Sequence, residues 1–182
     1  MILYLIGFAA ALALSVLITP FVKQFAVWVG AMDEPGERKV HTRVMPRLGG
    51  LAIFLAFAGA FFAVSPAIDA INRDMAWGLL AGGAIVVLTG ALDDRFSLSP
   101  KLKLLGIIAA ASVVVALGMR VEFINIPFVG RAQDLDWLSI PLTIFWIVGV
   151  TNAINLIDGL DGLAAGVSFI STGTILALAV LM

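Results

Sequence analysis

Six apolar runs, separated by short polar segments, set the plan of the chain: about residues 2–22, 48–64, 75–92, 104–118, 137–157 and 163–182. Crossing ~30 Å of hydrocarbon takes ~20 residues as a helix, and several of the runs have that length. The second and fourth are shorter and must borrow flanking residues or face a thinner slab. The pattern predicts an all-α polytopic membrane protein, one multi-pass domain over residues 1–182 with about six transmembrane helices. The sixth run reaches Met182 without a polar flank, which points to a C-terminally truncated portion of a longer protein. Between the fourth and fifth runs, residues 119–136 mix Val121, Phe123, Ile124, Ile126 and Phe128 with Pro127 and Gly130. That stretch admits a small hairpin.

Charge placement gives the segmentation a direction. Lys23, Arg38, Lys39, Arg43 and Arg47 follow the first span, and Arg95, Lys101 and Lys103 follow the third, so these two loops hold eight of the eleven basic residues. The positive-inside rule makes them cytoplasmic, leaving the N-terminus and the hairpin segment outside. Met1-Ile-Leu-Tyr-Leu-Ile carries no basic n-region and no small-residue cleavage site follows, so it reads as a retained span. The composition agrees: 62% hydrophobic, 13% charged, mean hydropathy +1.10, values of a membrane protein rather than a soluble domain. A net charge of −1 gives no footprint for nucleic acid, and with no Cys there are no disulfides, thiolate nucleophiles or Cys-based metal sites.

The noteworthy polar residues gather in the odd-numbered loops. Loop one contains Arg38-Lys39-Val-His41 and then Pro46-Arg47-Leu-Gly49-Gly50. Its cations suit lipid headgroups or a phosphate ligand, and the Gly pair lets a ligand or a neighbouring helix approach the backbone. Loop three contains Asp93-Asp94-Arg95 and, nine positions beyond Asp94, Lys103. Neighbouring helix positions diverge by roughly 100°, so the two carboxylates need not share a target. They could be solvated, paired with Arg95, or divided between a divalent cation and a substrate. Lys103 is a point charge suited to phosphate.

Loop five reads Asn152-Ala-Ile-Asn155-Leu-Ile-Asp158-Gly-Leu-Asp161-Gly-Leu. Asn152 and Asn155 share a helical face at the end of span five, and Asp158 and Asp161 repeat the spacing at the entry to span six. A helix-capping role covers Asp161 but not all four residues. Oxygen-only side chains suit a hard cation such as Mg²⁺. Gly78 and Gly82 read as helix-packing positions.

Taken together, the motifs of loops one, three and five resemble the polyprenyl-phosphate N-acetylaminosugar-1-phosphate transferases, glycosyltransferase family 4, across essentially the whole chain. Loop one is more similar to the branch that uses UDP-N-acetylglucosamine or a related UDP-sugar than to the UDP-MurNAc-pentapeptide branch, which has a Thr-Met-Gly-Gly version where this chain has Arg47-Leu-Gly49-Gly50. The resemblance implies transfer of a sugar-1-phosphate from a UDP-sugar to undecaprenyl phosphate at the cytoplasmic face of the cell membrane, with release of UMP and a requirement for Mg²⁺ or Mn²⁺. It implies that Asn155 and Asp94 bind the metal and that Asp93 and Asp94 form the acidic pair at the reacting phosphates. It also implies that Lys103 holds pyrophosphate, that Asp158 and Asp161 line the nucleotide side, and that Arg38, Lys39, His41, Arg47 and Asn152 bind substrate. Family members run well past this length and take a further metal-binding Asp and a His-containing segment from a later loop, so the 182 residues alone imply an incomplete site. A homodimer is compatible with the pattern. The competing class, a cation-coupled transporter with broken helices, normally needs acids deeper in the membrane than these span-end positions.

Overall fold

The computed structural model describes residues 2–33, 44–68, 71–125, 132–160 and 162–181. Six long helices carry the chain: α1 (Ile2–Val29), α2 (Gly49–Val64), α3 (Arg73–Phe96), α4 (Pro100–Ala116), α5 (Ser139–Ile157) and α6 (Leu163–Leu181). They answer the six apolar runs one for one. Among the described residues, five segments are long and apolar enough to cross a membrane, those of α1, α2, α3, α5 and α6. At 17 residues, α4 rises only about 26 Å, a little under the hydrocarbon thickness. The fold is that of an all-α polytopic membrane protein.

The helices overrun the hydropathy pattern at their polar ends. Lys23 lies inside α1, Asp93, Asp94 and Arg95 complete α3, and α4 begins at Pro100, before Lys101 and Lys103. The expectation that charges lie between the spans is corrected here, because helices end where caps end them and not where hydrophobicity falls. Asn72 caps α3, its side chain accepting from the amides of Asp74 and Met75. Ser99 caps α4, with Pro100 at the first helical position. Gly30 (φ 72°) and Gly118 (φ 94°) close α1 and α4. In each case the next amide reaches back five residues, Ala31 to the Ala26 carbonyl and Met119 to that of Val114.

The chain divides into two compact units, Met1–Ile144 and Phe145–Met182. In the first, α1 packs on α2, α2 on α3 and α3 on α4, through small residues. Ala26, Ala31, Ala52, Ala56 and Ala60 are buried. Gly78 lies against Leu117, just past the end of α4, Gly82 against Val114 of α4, Gly83 against Phe54 of α2, and Gly106 of α4 against Thr89. Lipid tails are as apolar as Leu, so close backbone approach holds such helices together. Large side chains such as Phe21, Phe145 and Leu181 stay exposed, the surface that a bilayer covers. Hydroxyls within the spans bond their own helix four residues back, as Thr19 does to Ser15 and Thr89 to Ile85.

Two short hairpins interrupt the helices. β1 (Met32–Asp33) pairs antiparallel with β2 (Met45–Pro46) at the base of loop one. β3 (Phe123–Asn125) pairs with β4 (Ala132–Asp134) where the sequence admitted a hairpin. The buried Ser139 hydroxyl donates to the Val121 carbonyl, and Thr143 accepts the Val121 amide, fastening this second hairpin to the start of α5. In the second unit, α5 ends at Ile157, residues 158–160 turn, Gly162 takes φ 78°, and α6 begins at Leu163.

The glycines yield a paired test. A Cβ on Gly82 meets Val114 and lies 3.2 Å from the Ala110 carbonyl oxygen, whereas one on Gly90 meets nothing within 4 Å. Gly82→Leu should destabilise the protein by about 1–3 kcal/mol, and Gly90→Ala should leave thermal unfolding in detergent unchanged or slightly raised.

Candidate active site

Loop one and the α3–α4 turn meet at one end of the first unit. The β1–β2 ladder holds the two ends of loop one together, and the Arg47 amide donates to the Ala31 carbonyl (3.0 Å). Asp33 on β1 and Arg47 just after β2 are thereby side by side, and the Arg47 guanidinium pairs with the Asp33 carboxylate. The same guanidinium lies 3.9 Å from Oδ1 of Asp94. Leu48, buried and in the left-handed region at φ 71°, donates its amide to Oδ2 of Asp94 (3.1 Å). That conformation costs a non-Gly residue about 1–3 kcal/mol and persists only where its surroundings enforce it. Here the side chain fills the core against Val22, Ala26 and Ala52 while the amide is held by Asp94.

Asp93 turns the other way. Its Oδ1 accepts the Leu98 amide (2.9 Å) and its Oδ2 pairs with Lys103 (2.6 Å), across a turn in which Ser97 sits at φ 50°. The two carboxylates thus have different targets, as their angular separation on the helix requires. Pairing with Arg95 does not occur: its guanidinium lies over the Phe96 ring, 5.3 Å from the centroid, and beside Gly30. Side-chain exposure of Asp93, Asp94, Arg47 and Lys103 runs from 24% to 40%, so each touches solvent while holding its partner. Gly49 and Gly50 have open space where a Cβ would stand. Among the described residues, no neighbouring helix packs against them.

Of the residues singled out in the sequence, the fold gathers Arg47, Asp93, Asp94 and Lys103. Arg38, Lys39, His41 and Asp161 lie outside the described residues. Asn152, Asn155 and Asp158 belong to the second unit. Asn152 and Asn155 occupy the last two turns of α5, and Asp158 stands in the turn that follows. The Asn152 amide donates to the Val148 carbonyl (2.8 Å), turning back on its own helix, while Asn155 and Asp158 are exposed. Asp33 and Leu48 were not assigned in the sequence. A Pro-Arg segment that returns opposite an Asp is the only signal that could have found Asp33, and nothing local announces Leu48.

A part-exposed carboxylate such as Asp94 is the ligand type of a hard divalent cation that binds through one or two protein oxygens and keeps waters and substrate phosphates as its other ligands. Among the described residues, Oδ1 of Asp94 has the 3.9 Å approach of Arg47; in the second unit, taken by itself, Asn155 is exposed and carries an amide oxygen. Among the described residues, no three His, Cys or acidic side chains converge into a cage.

Residues 76–182 match the family model for glycosyl transferase family 4. The chain belongs to that family. It is 43% identical to the probable undecaprenyl-phosphate N-acetylglucosaminyl 1-phosphate transferase of Bacillus subtilis, over 98% of this chain and 49% of that protein. It is 39% identical to the decaprenyl-phosphate N-acetylglucosaminephosphotransferase of Mycobacterium tuberculosis, over 99% and 45%. It is 32% identical to the phospho-N-acetylmuramoyl-pentapeptide-transferase of Lactobacillus delbrueckii subsp. bulgaricus, over 93% and 57%. The chain thus spans about half the length of the curated relatives it matches. No solved structure matches it.

Asp94 can be divided into its two roles as acceptor and as charge. Asp94→Ala leaves the buried Leu48 amide without its acceptor and should cost about 1–3 kcal/mol of stability. Asp94→Asn keeps an oxygen for that amide and should unfold close to the wild-type temperature, with the Leu48 amide still protected in hydrogen exchange.

Proposed function

We propose that the protein carrying this chain transfers N-acetylglucosamine-1-phosphate from UDP-N-acetylglucosamine to undecaprenyl phosphate at the cytoplasmic face of the cell membrane. The observation that carries the proposal is the cluster of Arg47, Asp93, Asp94 and Lys103 at the joined ends of α2, α3 and α4, in a chain whose relatives are named for this chemistry. An oxygen of the lipid phosphate bonds to the sugar-linked phosphorus as the bond from that phosphorus to the bridging oxygen breaks. UMP leaves with the electron pair.

The lipid phosphate is already anionic at neutral pH, so no side chain needs to take a proton from it. The work left to the protein is positioning and charge neutralisation. Lys103, an ammonium with three donors now pairing with Asp93, is placed to turn one donor to the pyrophosphate. Asp93, anchored by the Leu98 amide, keeps that ammonium at the turn. Arg47 holds loop one to α3 and presents a planar fork to phosphate oxygens. Asp94 and Asn155 would hold Mg²⁺ or Mn²⁺, which neutralises pyrophosphate charge. In this reading Asp158 and Asp161 would bind the nucleotide side of the donor, and Arg38, Lys39, His41 and Asn152 would bind substrate.

The UDP-MurNAc-pentapeptide alternative is not favoured, since the relatives of higher identity are named for N-acetylglucosamine transfer. The transporter reading loses its ground with membership of a transferase family.

Membranes containing the protein, given radiolabelled UDP-N-acetylglucosamine and undecaprenyl phosphate, should form labelled lipid and release UMP only with a divalent cation present. Absence of labelled lipid with every UDP-N-acetylhexosamine tried would sink the proposal. Asn155→Ala should lower turnover by about 10²-fold or more and raise the Mg²⁺ needed. Turnover like that of the wild type at low Mg²⁺ would remove Asn155 from the site.

A further inference from the structure

At the opposite end of α3 (Arg73–Phe96) from Asp93 and Asp94, about 30 Å away along the helix, the end of α2 and the start of α3 border a cavity of about 380 Å³. Its wall is aromatic and apolar. Phe61 and Phe62 meet edge to face at 5.8 Å, Phe62 lies 5.9 Å from Trp77, and Ser65 and Ile68 close one side. Among the described residues, one cation lines it, Arg73.

Arg73 is out of place for helix stability. It stands at the first position of α3, where the positive end of the helix dipole disfavours a cation. Asn72 already satisfies the amides of Asp74 and Met75, and Asp74 supplies the favourable charge in the first turn. Among the described residues no carboxylate lies within ion-pairing distance of Arg73. An exposed cation on an aromatic cavity, at the level where a spanning helix leaves the hydrocarbon, has two complementary neighbours in a bilayer. One is the anionic phosphate at headgroup depth; the other is the first segment of the acyl chain below it. Trp at this level is itself a mark of the membrane–water interface.

We propose that this cavity binds an anionic phospholipid from the surrounding bilayer, its phosphate on the Arg73 guanidinium and its upper acyl chain against Phe61, Phe62 and Trp77. The site is separate from the transferase cluster, and the inference does not rest on the proposed reaction. Asp74, on the neighbouring helical position, is not part of the cavity wall. Among the described residues, the guanidinium is the charged group on the cavity wall, and it provides the preference for a negative headgroup.

The test places the protein in phosphatidylcholine nanodiscs doped with either dibrominated phosphatidylglycerol or dibrominated phosphatidylcholine and reads fluorescence quenching. The Trp77 signal is the difference between wild type and Trp77→Phe. Half-quenching should need about fivefold less phosphatidylglycerol than phosphatidylcholine, the factor one cation near a membrane surface supplies. Arg73→Gln should abolish the preference, and Arg73→Lys, which keeps the charge, should retain most of it. Equal quenching by both lipids in the wild type would overturn the proposal. So would a preference that survives Arg73→Gln, one that inorganic phosphate removes by competing as a free anion, or a Trp77 that neither lipid reaches because a protein surface covers it.

Discussion

The contact on which the polar end of the first unit depends is the bond from the Leu48 amide to Asp94. Packing by alanine and glycine draws α1 to α2 and α3 to α4, yet small-residue contacts are nearly featureless along a helix and set depth poorly. Asp94 supplies the missing register. One carboxylate receives a buried amide from the chain entering α2 and stands beside the Arg47 guanidinium that grips Asp33. Its neighbour Asp93 does the equivalent on the other side, receiving the Leu98 amide and pairing with Lys103 of α4. An acidic pair at the end of one span thereby fixes two flanking helices. Any catalytic use of these carboxylates is laid over a structural one, and Asn substitution at position 94 separates the two because the amide needs only an oxygen.

Much of this was legible in the sequence. The six apolar runs give six helices, since a bilayer leaves a spanning segment no partner for its backbone other than itself. Gly78 and Gly82 read correctly as packing positions, and residues 119–136 as room for a hairpin. The helix ends were less legible: Lys23, Asp93 and Lys103 are helical despite their charge, because a capped helix continues into the headgroup region. The β1–β2 pair could not be read from periodicity, which two-residue strands do not have. For the site, the motif brought out Arg47, Asp93, Asp94 and Lys103, but not how they pair. Arg95 is the nearest cation in sequence to Asp94, and the fold turns it toward Phe96 and Gly30 instead, while Arg47 arrives from 47 positions upstream. Tertiary approach, not sequence distance, decides that pairing. Leu48 has no signature at all, since a left-handed leucine is forced by its surroundings rather than chosen for its propensity.

The glycines carry the last step. Along α3, Gly78, Gly82 and Gly83 each face a neighbouring helix closely enough that a side chain would collide, and removing the Cβ is what lets the helices touch. Gly90, two turns further on, faces open space, as do Gly49 and Gly50 at the start of α2. None of those three has the positive φ that would require glycine. At Gly90, in a helix interior, glycine costs about 1 kcal/mol relative to alanine, and among the described residues nothing packs against any of the three. What they share is location: Gly50 and Gly90 line one small cavity with Leu48 and Asp94, and Gly49 lines another with Arg47. Bare backbone beside a guanidinium and a carboxylate, at the polar end of the helices, is what close approach by a phosphate-bearing ligand needs. Under the proposed function, the same residue type would serve packing at one end of α3 and access at the other.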